Sequence, residues 1–79
     1  MILSLLHLEK NNSAKVVKIE GGAVFHKKFE SLGLRLGVKI KKLSSSVFGG
    51  PVVIRAGRTN IAIGKGMANK ITVEIENKI

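Results

Sequence analysis

Glycines divide this sequence into short segments in which aliphatic and polar residues alternate, and this spacing limits what the chain can fold into. Nine glycines and one proline interrupt the runs, and residues 10–13 read as a loop by composition. Alternation at a period of two places aliphatic side chains on one face of a β-strand. The pattern predicts five strands, at residues 15–20, 38–44, 51–56, 59–63 and 70–76.

One segment changes to a helical period after the glycine pair at residues 21–22. Phe25, Phe29 and Leu32 are spaced at i, i+4 and i+7, which forms a single apolar stripe along a helix of about ten residues. Gly33 then fits the left-handed position that ends a helix, and Leu34 is placed to fold back on the last turn. A single helical turn is predicted at residues 67–69, before the last strand.

The second predicted strand contains a change of phase. Val38 and Ile40 share a face, Lys42 follows them on that face, and Leu43 lies on the opposite one. Such a shift indicates a β-bulge or a strong bend, as occurs where small barrels turn corners. Farther along, Gly57-Arg58 fits the two-residue loop of a type II′ hairpin.

A chain of 79 residues has too thin a core for a flat sheet with exposed edges. We therefore expect residues 1–79 to form one all-β domain, a small five-stranded barrel with one short helix after the first strand and a helical turn before the last. The predicted core comprises Val17, Ile19, Phe25, Phe29, Leu32, Val38, Ile40, Val52, Ile54, Ile61, Ile63, Ile71 and Val73.

The charge balance is strongly basic. Fourteen Lys and Arg residues against five acidic ones give a formal net charge of +9, which favours an anionic partner: nucleic acid, an anionic membrane surface or an acidic protein. Residues 1–8 are too short and too polar to span a bilayer and lack the features of a signal peptide, so we expect a cytoplasmic protein. There is no cysteine for a disulfide or thiolate site.

The sequence lacks the residue combinations of a catalytic site, because it contains no Cys or Asp and only two histidines; we predict that it is not an enzyme. His26 and Glu30 lie four residues apart on the predicted helix and are weak metal-ligand candidates. They offer two ligands where a closed site uses about four, so a solvated helix face is the alternative. Nucleic acid is the less favoured partner, since two of the three phenylalanines belong to the helix stripe and stacking platforms are scarce.

Four stretches of the chain closely resemble the ferrous iron transport protein A (FeoA) family. They are residues 15–22 (KVVKIEGG), 30–37 (ESLGLRLG), 48–55 (FGGPVVIR) and 61–73 (IAIGKGMANKITV). The resemblance implies an SH3-like barrel, which also occurs at the C-terminus of diphtheria-toxin-repressor-type regulators. It further implies a cytosolic accessory or regulatory role at the inner face of the membrane. The implied partner is a FeoB-type ferrous iron transporter with a cytosolic GTP-hydrolysing domain.

Within this interpretation, the helix and the loop that follows it form the docking surface, with candidates Lys27, Lys28, Leu34, Arg35 and Leu36. Alternatively, both leucines close the core against the helix. The resemblance to the FeoA family also implies a divalent transition metal, iron or zinc, but the sequence does not indicate a set of ligands for it. Self-association is a further expectation for so thin a core. The other function class left open is a small basic nucleic-acid-binding barrel or a stand-alone repressor-type domain.

Overall fold

Six β-strands and two short helices make up the part of the chain that the structure describes, residues 1–44 and 50–75 of a computed structural model. The strands are β1 (Ile2–Ser4), β2 (Ser13–Ile19), β3 (Lys39–Ser44), β4 (Val52–Ala56), β5 (Thr59–Ile63) and β6 (Ile71–Ile75). The helices are α1 (Ala23–Ser31) and α2 (Lys65–Ala68), and a 3₁₀ turn spans Leu5–His7. Phe48, Gly49 and Glu76 of the predicted segments lie outside the described residues.

The strands form one antiparallel sheet in the order β1-β6-β2-β3-β4-β5. This confirms the predicted mostly-β class, with one helix after the first predicted strand and a helical turn before the last. Within the described residues β1 and β5 stand at the two ends of the order and do not pair, so the ladder is not closed. Two register shifts bend the sheet around a single core.

The sheet has six strands, and the predicted count of five was wrong because β1 was missed. β1 pairs with β6, with Leu3 opposite Val73. The following 3₁₀ turn begins where the Ser4 hydroxyl accepts a hydrogen bond from the Leu6 N–H at 3.1 Å, and Leu5 and Leu8 are buried. A three-residue strand is too short for its alternation to be recognised.

In β2 the prediction that Val17 faces the core was wrong, because Val16 and Ala14 are buried and Val17 is half-buried. The pairing with β6 shifts between Val16 and Lys18. A bulge adds one residue and reverses the alternation, so Ile19 is inward as predicted while the position two residues before it is not.

The end of α1 has the predicted glycine stop. Gly33 has a φ of +90°, the Gly33 N–H donates to the Glu30 carbonyl at 3.0 Å, and the Leu34 N–H donates to the Phe29 carbonyl at 2.8 Å. This pair of bonds is the Schellman motif. It turns Leu34 into the core, where it is fully buried, while Leu32, predicted as core, is 37% exposed.

The predicted bulge in β3 is also confirmed, as the pairing with β4 shifts between Lys42 and Ser44. Lys42 lies on the inward face and is only 2% exposed. Its Nζ donates to the Leu6 carbonyl at 3.0 Å and to the Leu5 carbonyl at 3.3 Å. The 3₁₀ turn thus supplies the acceptors that a buried ammonium requires.

The remaining predicted core positions are buried or packed against the core. Phe25 and Val38 are half-buried neighbours of it. At the β4–β5 hairpin Gly57 has a φ of +63°, as the type II′ turn requires. Besides Lys42, the buried residues that the sequence analysis did not include are Leu5, Leu8, Ala14, Val16, Leu34, Ala56 and Ala68.

The helix stop generates a first prediction. Gly33→Ala should lower the free energy of unfolding by about 1–2 kcal/mol, measured by urea denaturation. An added Cβ would have no atom within 4 Å at this position, so the loss comes from the left-handed backbone alone. Gly66→Ala is the control: it also meets open space but lies within α2, so it should raise stability by up to about 1 kcal/mol. Equal effects at both positions would contradict the assignment.

Lys42 generates a second prediction. Burial lowers the pKa of Lys42 below its usual value. Between the folded and unfolded pKa values the unfolded chain binds more protons, so stability should increase as pH rises through that interval. The increase should level off above the ordinary lysine pKa of about 10.4. Urea denaturation in a series of alkaline buffers measures this rise.

Lys42→Met should remove the alkaline increase, because the thioether side chain fills a similar space without a titratable group. Lys41→Met, at the exposed neighbouring position, should keep it. The same pH dependence in the wild type and in Lys42→Met would show that Lys42 does not carry the effect.

Candidate functional site

The residues predicted to dock a partner lie on α1 and on the loop that follows it. Lys27 and Lys28 are exposed on α1, and Arg35 and Leu36 are exposed on the loop. Leu34 is fully buried and closes the core, whereas Leu36 is exposed, so the alternative that both leucines close the core holds for Leu34 alone. The structure therefore brings four of the five candidates to the surface, and their role in binding stays a prediction.

Backbone hydrogen bonds fix this loop against β2. The Gly37 N–H donates to the Val16 carbonyl at 2.7 Å, and the Val16 N–H donates to the Val38 carbonyl at 2.9 Å. The Val38 N–H also donates to the Arg35 carbonyl at 3.1 Å, which closes a turn around Leu36. Leu36 is 60% exposed on a backbone that is already ordered, so its burial by a partner would cost little loop entropy.

A second exposed aliphatic side chain lies at the start of α1. Val24 is 80% exposed and lies one turn before Lys27 and Lys28 on the helix, so the three share a face. The surface defined by Val24, Lys27, Lys28, Arg35 and Leu36 is here called the helix–loop surface. It combines two exposed aliphatic side chains with three cations.

Contacts between α1 and the α2 region hold one side of the helix. The Lys28 Nζ lies 3.9 Å from the Met67 Sδ, and the Lys70 Nζ lies 4.3 Å from the centre of the Phe25 ring. The second contact is a cation–π interaction. Lys70 therefore covers the half-buried ring of Phe25, whereas Phe29, the other phenylalanine of the helix stripe, is buried.

The two weak metal-ligand candidates do not gain further ligands. His26 is half-buried and Glu30 is exposed on α1. Among residues 1–44 and 50–75, no group of three or more His, Cys, Asp or Glu side chains comes together. The pair thus remains a two-ligand arrangement, fewer than a closed metal site uses.

A second surface was missed as a site because its residues are far apart in the sequence. Lys39 and Lys41 on β3 and Arg55 on β4 line one concavity of about 300 Å³. The sequence offered one signal, the alternation that puts both lysines on the outward face of their strand. Only the strand register places Arg55 directly opposite Lys41.

A larger groove of about 500 Å³ runs between the end of α1 and the edge strand β5. It is lined by Ser31, Leu32 and Gly33 on one side and by residues 59–62 on the other. Leu32, displaced from the core by Leu34, contributes its exposed side chain here.

Neither helix of the described residues combines the length and the apolar composition needed to cross a bilayer.

Known proteins share both the sequence pattern and this fold. The FeoA domain family matches residues 3–75. A protein of Methanocaldococcus jannaschii, named an Fe(2+) transport protein A, is 41% identical over 59 residues, which is 75% of this chain and 70% of that protein. The crystal structure of an iron uptake regulatory protein (FeoA) is 35% identical, covers 94% of this chain and 97% of its own, and superposes with a TM-score of 0.87.

A manganese-dependent transcriptional repressor shares the fold alone, with 18% identity and a TM-score of 0.87 over 95% of this chain and 42% of the repressor. These likenesses confirm the predicted SH3-like architecture, and the repressor shares this fold over part of its length. The match over residues 3–75, together with the 41% identical relative, establishes that this chain belongs to the FeoA family.

Proposed function

We propose that this protein is an accessory or regulatory component of ferrous iron uptake that acts by docking to the cytosolic domain of a FeoB-type transporter. The support is membership of the FeoA family and the names of its relatives, an Fe(2+) transport protein and an iron uptake regulatory protein. The structural observation that carries the docking proposal is Leu36, an exposed aliphatic side chain on a hydrogen-bonded loop flanked by cations.

The helix–loop surface has the composition of an interface anchor with a charged rim. Full burial of a leucine side chain contributes about 1.5–3 kcal/mol, enough for Leu36 to act as a hot spot if it enters a pocket of the partner. Val24 supplies a second apolar contact on the same side of α1. The proposed action is contact alone, with no chemical step on this chain, in the cytoplasm and close to the inner face of the membrane.

Charge would set the rate of encounter. Lys27 and Lys28 lie one helical turn after Val24, Arg35 precedes Leu36 in the loop, and the whole chain carries +9. An acidic partner surface would be attracted over about 8–10 Å at physiological ionic strength, a distance that shrinks as salt is added.

The anchor generates a third prediction. Leu36→Ala should weaken binding to the isolated cytosolic domain of the transporter by roughly tenfold or more, measured by calorimetric titration at low salt. Ile2→Ala is a matched control, because Ile2 is 64% exposed and Leu36 is 60% exposed, yet Ile2 lies on β1 at one end of the sheet. Its affinity should equal that of the wild type.

Two outcomes would defeat the docking proposal. One is no binding of the wild-type chain at low salt. The other is equal weakening by Leu36→Ala and Ile2→Ala. Tight binding to duplex or single-stranded nucleic acid, with a steep dependence on salt, would instead support the repressor-type or nucleic-acid alternative.

The charged rim generates a fourth prediction. Lys27→Gln combined with Arg35→Gln should slow association with the transporter domain several-fold at low salt and change dissociation little. The double variant Lys10→Gln/Arg58→Gln removes the same charge from two other exposed positions and should slow association less. Stopped-flow measurements at two salt concentrations separate the cases, and equal slowing would show that net charge acts without a defined surface.

A further inference from the structure

The five acidic residues of this chain are confined to residues 9–30 and 74–76. Between Glu30 and Glu74 there are eight cations and no carboxylate. All of β3, β4 and β5 lie in this interval. The outward faces of β3 and β4 carry cations, β5 has no charged residue, and none of the three adjacent strands has an acidic residue.

Strand register concentrates this charge on one row across four strands. Ser13 on β2 is opposite Lys41 on β3, Lys41 is opposite Arg55 on β4, and Arg55 is opposite Asn60 on β5. Like charges directly opposite each other destabilise a sheet. Lys15 also faces Lys39, but its other cross-strand neighbour is Glu74, whereas the described neighbours of the Lys41–Arg55 pair in its row, Ser13 and Asn60, are uncharged.

One side chain of the unfavourable pair is held in place. The Arg55 Nε donates a hydrogen bond to the Asn60 Oδ1 at 3.1 Å. This bond orients the guanidinium plane, and within the described residues the structure shows no partner for its two terminal nitrogens. A guanidinium oriented in this way can present the N–H donors of its two terminal nitrogens to an oxyanion.

The row borders the concavity of about 300 Å³ introduced above, called here the basic groove. Its lining is Ser13, Lys39, Ile40, Lys41, Arg55 and Gly57. Ser13 contributes a hydroxyl donor and Lys41 an ammonium. The concavity is shallow and open, so an anionic group can approach both cations from solvent.

We propose that the basic groove binds a phosphoryl group. A terminal phosphoryl group carries between one and a half and two negative charges at neutral pH and has three acceptor oxygens, which matches two directly opposite cations and an adjacent hydroxyl. A side-chain carboxylate brings one charge and two oxygens and leaves the repulsion between Lys41 and Arg55 partly uncompensated. None of the described residues that line the groove is aromatic, so this lining offers no stacking platform of the kind a single-stranded nucleic-acid site uses.

This site is separate from the helix–loop surface and does not depend on the proposed docking. Its residues come from β2, β3, β4 and the β4–β5 turn, whereas the docking residues come from α1 and the following loop. The phosphoryl group could belong to a soluble phosphorylated molecule or to a lipid headgroup, since both present the same oxygens.

Titration of the full chain with pyrophosphate at constant ionic strength tests the proposal, followed by amide chemical shifts. Shifts should centre on Ser13, Lys41, Arg55 and Gly57. Lys41→Gln and Arg55→Gln should each weaken binding roughly tenfold or more, the loss expected for one charge-assisted hydrogen bond. Lys27→Gln removes the same charge from α1 and should bind like the wild type.

The source of the group is distinguished by two further titrations. A nucleoside triphosphate represents soluble ligands, and vesicles of phosphatidylcholine with phosphatidic acid represent a headgroup with a terminal phosphoryl. Binding of the wild type to either probe, together with weaker binding by Lys41→Gln, supports the site and identifies the source of the phosphoryl group. The proposal is overturned if no phosphoryl compound shifts these amides, if Lys27→Gln weakens binding as much as Lys41→Gln, or if only nucleic acid or an acidic protein binds.

A second measurement does not need a ligand. Because Lys41 opposes Arg55 without a carboxylate between them, Lys41→Gln should raise the melting temperature of the ligand-free protein at low salt, and the gain should shrink as salt screens the repulsion. Saturating pyrophosphate should stabilise the wild type more than Lys41→Gln. If ligand-free Lys41→Gln melts below the wild type at every salt concentration, Lys41 and Arg55 do not repel each other and the proposed site loses its basis.

Discussion

The hydrogen bond from the Leu34 N–H to the Phe29 carbonyl determines how the rest of the molecule is arranged. It reverses the chain at the end of α1, so Leu34 enters the core and the next residues return along β2. The Gly37–Val16 bond then fixes the loop. Because Leu34 occupies the core, Leu36 and Leu32 are left at the surface. One local capping motif thus closes the core with Leu34 and leaves Leu36, the proposed docking residue, at the surface.

The parts of the fold that the sequence predicted are those that depend on local chemistry. Gly33 and Gly57 could be assigned to turns because glycine readily adopts the left-handed backbone that a helix end or a type II′ hairpin requires. The phase change at Lys42 predicted the bulge in β3. Val16 could not be distinguished from Val17, because a bulge depends on the pairing of two strands and β6 is more than fifty residues away. The two surfaces differ in the same way. Local residue spacing predicted the helix and loop of the first surface, whereas the basic groove depends on strand pairing between residues far apart in the sequence.

The three lysines of β3 show why cations cannot be assigned to one patch from sequence. Lys42 points inward and is used by the fold, since its ammonium satisfies the carbonyls of Leu5 and Leu6 some 36–37 residues earlier. Lys39 and Lys41 alternate with it and face the groove. A buried cation with carbonyl acceptors fastens the N-terminal turn to the sheet, whereas the same residue type one position earlier is exposed to solvent on the face proposed to bind a phosphoryl group.

The two proposed surfaces depend on different physical terms, and this separates them experimentally. The helix–loop surface relies on burial of Leu36 and Val24, a contribution that salt barely weakens, with cations that act on the encounter rate. The basic groove has one aliphatic residue in its lining, Ile40, which is itself buried, so attraction to a phosphoryl group is its main source of affinity. Added salt should therefore weaken the groove's binding far more than the docking affinity, even though both surfaces belong to the same strongly basic chain.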